Sequence, residues 1–306
     1  MKICGIGSTK LAYKLYANSD NKNTIVIDTC LGSCSAEWWH IAQKLSNDYR
    51  VLVYDRAGYG KSSKSKLKRT PKNIALELNK LIEHLNINSN IILIGHSQGG
   101  INLIQYALDY KEKIKALVLL DPATPFDDEF KLKLSKEEYC SSGVDKTSSH
   151  KLGLVLTSLG LGFLFKPLLK KSPPFYYHNY SKEASQYLLK SLTKRKTYQT
   201  ALKEYFFTHH DNSTEEIVEA IKSSSLESIH VKLITHSSSF YIKELNQFAY
   251  LDEITATKVE NVWQEIMKRY IGLSKNCEYI EASNSGHFIH LTDLDLVIKT
   301  IKSIES

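Results

Sequence analysis

The sequence predicts an α/β fold: a mostly parallel sheet with helices on both faces, interrupted by one long, mostly helical insertion. Three observations carry this. Short apolar runs alternate with amphipathic helical stretches from Thr24 to Leu120, as parallel strands joined by crossover helices require. The alternation stops at Pro122 and resumes at Val231. The length of 306 residues suits one large domain carrying an insertion.

The elements follow in order. Lys10–Tyr16 alternates in polarity and predicts a half-buried antiparallel strand. Thr24–Ile27 is a short buried strand. Ala36–Leu45 is helical, with Trp38, Trp39, Ile41, Ala42 and Leu45 facing inward. Val51–Tyr54 is a strand. Pro71–Leu85 is a helix whose apolar positions are Ile74, Leu78, Leu81, Ile82 and Leu85. Ile91–Ile94 is a strand, Gln98–Leu108 a helix and Ala116–Leu120 a strand. After the insertion, Val231–Thr235 and Cys277–Glu281 are strands, and Lys258–Ile271 and Asp293–Ile304 helices. The expected core is thus 1–121 with 229–306, because the last strand and helix complete the sheet. Residues 122–228 form the insertion, a cap over the strand ends. Ligand sites in such sheets lie beyond the carboxyl ends of the strands, where Ser97 and Asp121 both fall.

Composition narrows the class. Apolar residues make up 42% and charged residues 24%, a soluble globular mix. The net charge is +7, and six basic residues with no acid fall in Lys61–Lys72. That run suits an anionic surface or a solvated loop. It lacks the interleaved aromatics of a nucleic-acid groove, so no nucleic-acid partner is expected. Five scattered cysteines, Cys4, Cys30, Cys34, Cys140 and Cys277, form neither a CxxC pair nor a zinc cluster. Reduced thiols and an N-terminus without an apolar signal core predict a cytoplasmic protein. The most apolar stretch, Leu152–Phe165, is too short to span a bilayer and suits a buried or interfacial helix. No integral membrane segment is expected, and the oligomeric state is left open.

The chemistry concentrates in Gly95-His-Ser-Gln-Gly99, which fits G-x-S-x-G directly after an apolar strand and before a helix. A sharp strand-to-helix turn holds such a serine in strained dihedrals and projects its hydroxyl above the sheet. An alcohol nucleophile needs a base. Among eleven histidines, His287, in Ser285-Gly-His-Phe-Ile-His290, follows the last strand and precedes the last helix. A loop there can carry an imidazole back over the sheet. His290 and His96 read as structural.

On these pieces, with the Asp55-Arg-Ala-Gly-Tyr-Gly-Lys-Ser62 loop, the chain resembles the α/β-hydrolase superfamily over nearly its whole length. Val262-Trp-Gln-Glu-Ile-Met-Lys-Arg-Tyr-Ile-Gly-Leu-Ser274 and Asn284-Ser-Gly-His-Phe-Ile-His-Leu291 resemble capped, esterase-like members in particular. The resemblance implies an eight-stranded sheet, a serine nucleophile, no metal and no organic cofactor. It also implies an oxyanion hole from two backbone N–H groups, those of Leu31 and Gln98. Two departures stand out. Cys30 takes the place of the usual oxyanion-loop glycine. The seventh-strand loop, Thr235–Tyr241, offers no carboxylate where the family usually places its acid. Some members take the acid from the end of the sixth strand, which favours Asp121; Asp252, Glu244 and Glu260 are the alternatives.

The expected activity is hydrolysis of a small or medium apolar carboxylic ester or related acyl compound by Ser97, His287 and Asp121. Other chemistries remain open on the same residues: C–C hydrolysis, aminopeptidase activity or perhydrolysis. So does an inactive small-molecule binder, which the two departures motivate. Leu152–Phe165 would line the acyl pocket or pack on the cap's own core.

Overall fold

In the computed structural model the strands are β1 (Lys2–Gly5), β2 (Lys10–Tyr16), β3 (Thr24–Asp28), β4 (Arg50–Asp55), β5 (Ile91–His96), β6 (Ile114–Leu120), β7 (His230–His236) and β8 (Cys277–Ala282). They form one sheet in the order β1-β2-β4-β3-β5-β6-β7-β8. β1, β2 and β4 pair antiparallel, and every pairing from β4–β3 to β7–β8 is parallel. The structure describes residues 1–17, 23–145 and 147–304. The remaining positions of the expected segments, 18–22, 146 and 305–306, lie outside the described residues.

Two buried clusters cover the two sheet faces. Val26, Leu52, Leu93, Leu117 and Leu119 belong to one. Ile25, Ile27, Val51, Val53, Ile92, Ile94, Val118 and Leu120 belong to the other. Neighbours along each strand thus alternate between clusters, so strands buried on both faces read as unbroken apolar runs. The covering helices are α1 (Trp39–Leu45), α2 (Pro71–His84) and α3 (Gln98–Asp109). Helix α2 starts where its sequence says it should. The Thr70 hydroxyl accepts from Asn73 N–H, and Pro71 sits at the first helical position.

Between β6 and β7 the described residues hold helices and no strand: α4 (Asp128–Lys133), α5 (Lys136–Ser141), α6 (Thr147–Ser158), α7 (Lys166–Lys170), α8 (Lys182–Leu192), α9 (Arg195–His209) and α10 (Glu215–Ser223). α11 (Ser238–Ala249) and α12 (Glu253–Arg269) follow β7, and α13 (Ile289–Thr292) and α14 (Leu294–Lys302) follow β8.

Two expectations are corrected. The Thr235–Tyr241 stretch is not a loop throughout: α11 begins at Ser238. Tyr241, Leu245, Phe248 and Ala249 follow the i, i+4, i+7, i+8 spacing of one helical face, and that face lines the same cavity as Ser97. Leu152–Phe165 is not one helix. α6 ends at Ser158, and Gly162–Phe165 forms a separate 3-10 turn.

Candidate active site

Strand register builds the site. β5 and β6 pair with His96 opposite Leu120, so the next residues, Ser97 and Asp121, leave adjacent strands at the same edge. Both turn through positive φ, 53° at Ser97 and 44° at Asp121, a region costly for a side-chain-bearing residue. Ser97 N–H donates to Leu120 C=O at 3.1 Å. Its C=O accepts from Gly100 and Ala123, each at 2.9 Å. The turn is therefore held on both sides. Two glycines make it possible. A Cβ on Gly95 would lie 2.7 Å from the Gly100 Cα, and one on Gly99 2.3 Å from the Asp28 carbonyl oxygen.

The loop after β8 brings His287 over this edge. His287 Nδ1 lies 2.5 Å from Asp121 Oδ2, its N–H donates to Glu244 Oε2 at 3.0 Å, and its C=O accepts from His96 Nε2 at 3.0 Å. His96 is fully buried. Burial foremost, with His290 and His287 nearby, pushes its pKa well down, so it is a neutral prop under the His287 loop. His290 stacks on Trp38 with ring centroids 4.1 Å apart and meets Glu37 at 3.0 Å.

Asp121 has more partners than the sequence disclosed. His236, the last residue of β7, places Nδ1 2.8 Å from the same Oδ2, and its Nε2 lies 2.9 Å from Glu260 Oε2. Trp263 Nε1 donates to Asp121 Oδ1 at 3.3 Å. Burial alone would lower the His236 pKa. Asp121 and Glu260 outweigh it and push the pKa up to about 10, so the ring is an imidazolium donating from both nitrogens. Burial alone would raise the Asp121 pKa, but His236 and His287 hold it well below the usual carboxylate range. The other acid candidates sit elsewhere. Glu260 reaches His236, Glu244 the His287 backbone and the Tyr177 hydroxyl, and Asp252 caps α12 through Thr255 N–H at 3.0 Å.

The loop after β3 runs beside the serine turn. Fully buried Arg56 donates to Thr29 C=O at 2.6 Å, to Cys30 C=O at 3.0 Å, and to Asp28. Gly32 N–H donates to the Tyr59 hydroxyl at 3.4 Å. The carbonyls of Thr29 and Cys30 are thus engaged from one side. Burial first, then Glu37, pushes the Cys30 thiol pKa well up, so it stays protonated. Cys30, Glu37 and His96 place three possible metal-donor atoms within 4.8 Å of one another. Glu37 there also accepts from the Ser33 and Thr29 hydroxyls.

Ser97, His287, Leu31 and Gln98 line one cavity of about 400 Å³. Phe130, Leu245, Phe248, Val259 and Trp263 make its apolar wall, and Asp127, Tyr205 and His209 a polar patch. Leu152–Phe165 contributes none of the lining, although His150 of α6 does. The acyl-pocket alternative for that stretch therefore fails, because most of its apolar side chains point to solvent.

Comparison with known proteins agrees with this architecture. A family model described as alpha/beta hydrolase fold matches residues 23–221. The uncharacterized protein YqjL of Bacillus subtilis is 33% identical over 100 residues, 33% of this chain and 40% of that protein. The chain thus matches less than half the length of that relative. An AB hydrolase superfamily protein of Gibberella zeae is 22% identical over 297 residues, 92% of this chain and 86% of that one. Among solved structures, the enol-lactonase from Burkholderia xenovorans LB400 superposes with a TM-score of 0.66 at 15% identity, covering 99% of both chains.

Proposed function

The chain belongs to the alpha/beta hydrolase fold family, and from that premise we propose that it is a serine hydrolase cleaving a small or medium apolar carboxylic ester or related acyl compound. The observation that carries this reading is that Ser97, on its strained turn, and His287, whose Nδ1 lies 2.5 Å from Asp121 Oδ2, line the same cavity.

Ser97 Oγ attacks the acyl carbon while His287 Nε2 takes its proton. Asp121 accepts the Nδ1–H, which sets the tautomer and stabilises the imidazolium. The carbonyl oxygen gains negative charge and is met by the N–H groups of Leu31 and Gln98. Gln98 opens α3, and the first N–H groups of a helix have no partner within it. Losing one such donor costs about 3–4 kcal/mol of barrier. His287 then passes its proton to the leaving alkoxide, leaving an acyl-serine. Water, deprotonated by His287, attacks that acyl group, and the proton returns to Ser97 as the acid departs.

Residues 122–228 act as a cap over the 1–121 and 229–306 core. They supply Asp127, Phe130, Val144, His150 and Tyr205 to the cavity. An apolar wall beside the reacting serine favours acyl chains over charged peptides. The test is a fluorophosphonate probe, expected to label the wild type and spare Ser97→Ala. Equal labelling of both proteins counts against the assignment.

A further inference from the structure

Leu152 and Val155 of α6, with Leu159 just past its end, follow the i, i+3, i+7 spacing of one helical face, yet each is more than half exposed. The inner side of this helix is taken: Gly153 packs so closely on Tyr198 of α9 that a Cβ would lie 2.3 Å from its ring. The helix thus turns its leucine-rich stripe outward. The stretch that follows continues the pattern, with Phe163, Leu164 and Leu168 also more than half exposed. Other exposed large apolar residues, among them Leu132, Tyr250 and Ile254, lie outside this stretch of the chain. A contiguous apolar patch of this kind marks an interaction surface.

Charge identifies the occupant. No aspartate or glutamate occurs from 146 to 182, while Lys151, Lys166, Lys170 and Lys171 are exposed around the patch. The Lys61–Lys72 run joins it on another side. Lys64, Leu67, Leu154 of α6 and Lys203 of α9 line one shallow groove, and Lys66 and Lys68 are exposed beside it. Apolar side chains ringed by lysines, with no acid among them, match a bilayer interface: hydrocarbon to enter and anionic headgroups to pair with. No helix among the described residues is long and apolar enough to cross a membrane, so this attachment is to the surface.

We propose that the α6–α7 face docks the protein on an anionic phospholipid bilayer, so that the cavity takes a lipophilic ester from that interface. The docking stands on the surface alone; the delivery of an ester rests on the Ser97 reading. Two observations join them. His150 of α6 and Pro173, just beyond α7, both line the Ser97 cavity. The segments that would touch lipid are therefore also walls of the site.

The experiment is co-sedimentation with vesicles of phosphatidylcholine alone and of phosphatidylcholine mixed with phosphatidylglycerol, alongside hydrolysis of a soluble short-chain ester. Wild type should bind the anionic vesicles and release from them at high salt. Lys170→Glu and Lys171→Glu should each weaken binding at least about fivefold, as one basic residue near a charged surface implies. The double variant Phe163→Glu/Leu164→Glu should lose binding and keep wild-type turnover of the soluble ester, since neither residue lines the cavity. Ser97→Ala should bind vesicles normally and hydrolyse nothing. Equal binding to both vesicle types would overturn the anionic commitment, and binding to neither would overturn the docking. A self-associating wild type made monomeric by the double variant, with no vesicle binding, would make the patch a contact between copies. Hydrolysis persisting in Ser97→Ala would sink the catalytic reading and leave the docking intact.

Discussion

Two imidazoles converge on one oxygen of Asp121, and they play different parts. His236 is fully buried and held cationic between Asp121 and Glu260, whereas His287 is part-exposed to the cavity. On the proposed mechanism, Asp121→Asn removes the anion that orients His287 and lowers kcat by up to ~10⁴. His287→Ala lowers it by at least ~10³. Asp252→Asn, whose side chain is engaged in capping α12 through Thr255, leaves kcat unchanged; steady-state kinetics on the three variants separates these outcomes. His236 also sets a pH dependence of stability. Its folded pKa of about 10 lies above the ordinary histidine value of about 6.5. The folded state therefore keeps a proton that the unfolded chain releases. Its contribution is complete below about 6.5 and is lost as pH rises toward about 10. Urea midpoints measured from neutral to alkaline pH should fall in the wild type and fall less steeply in His236→Gln.

At the scale of elements, the serine turn works because β3, β5 and α3 approach more closely than side chains allow. Gly99→Ala would put a methyl 2.3 Å from the carbonyl oxygen of Asp28, the last residue of β3, and push the loop that follows away from Ser97. Slow labelling by fluorophosphonate and a lowered thermal midpoint are expected. Gly5→Ala, with nothing within 4 Å of its Cβ position, should change neither. The central strands β3, β4, β5 and β6 were legible because burial on both faces writes them as unbroken apolar runs, β2 because its polarity alternates, and Ser97 because its glycines are sequence neighbours. α11 is legible as well, because Tyr241, Leu245, Phe248 and Ala249 share one helical face. The Asp252-Glu-Ile-Thr255 stretch carried a legible signal of another kind: an aspartate whose side chain accepts from the third residue on is a helix start, which places α12 five residues before its expected first residue, Lys258. The His236–Glu260 pairing could not be read, because what brings β7 and α12 together is tertiary packing rather than spacing.

Across the whole molecule, one buried charge cluster ties the helical segment to the sheet. Arg56 reaches Asp28 and the β3 loop carbonyls on one side and Glu204 of α9, at 3.0 Å, on the other. Arg69 joins Glu204 at 3.4 Å and Glu77 at 2.7 Å, and the Tyr59 hydroxyl donates to Glu204 at 2.9 Å. None of this shows in the sequence, where Arg56 and Glu204 stand 148 residues apart. The cluster sets two guanidinium groups against three carboxylates, so its two kinds of member differ in what their loss leaves behind. Glu204→Gln removes the surplus negative charge and keeps an oxygen for Arg56. Arg56→Met leaves Asp28 a buried carboxylate without a cation and Glu204 with Arg69 and Tyr59 alone, removes the donors that Arg56 supplied to the Thr29 and Cys30 carbonyls, and frees the β3 loop. Breaking a buried pair from one side costs about 3–5 kcal/mol. Arg56→Met should therefore lose that much stability by urea unfolding. While still folded, it should label with fluorophosphonate more slowly than the wild type, because Leu31 rides on the freed loop. Glu204→Gln should lose less stability and label normally. Equal losses in the two variants, or unchanged labelling in folded Arg56→Met, would mean that Arg56 holds the fold without positioning the loop proposed to carry the Leu31 donor.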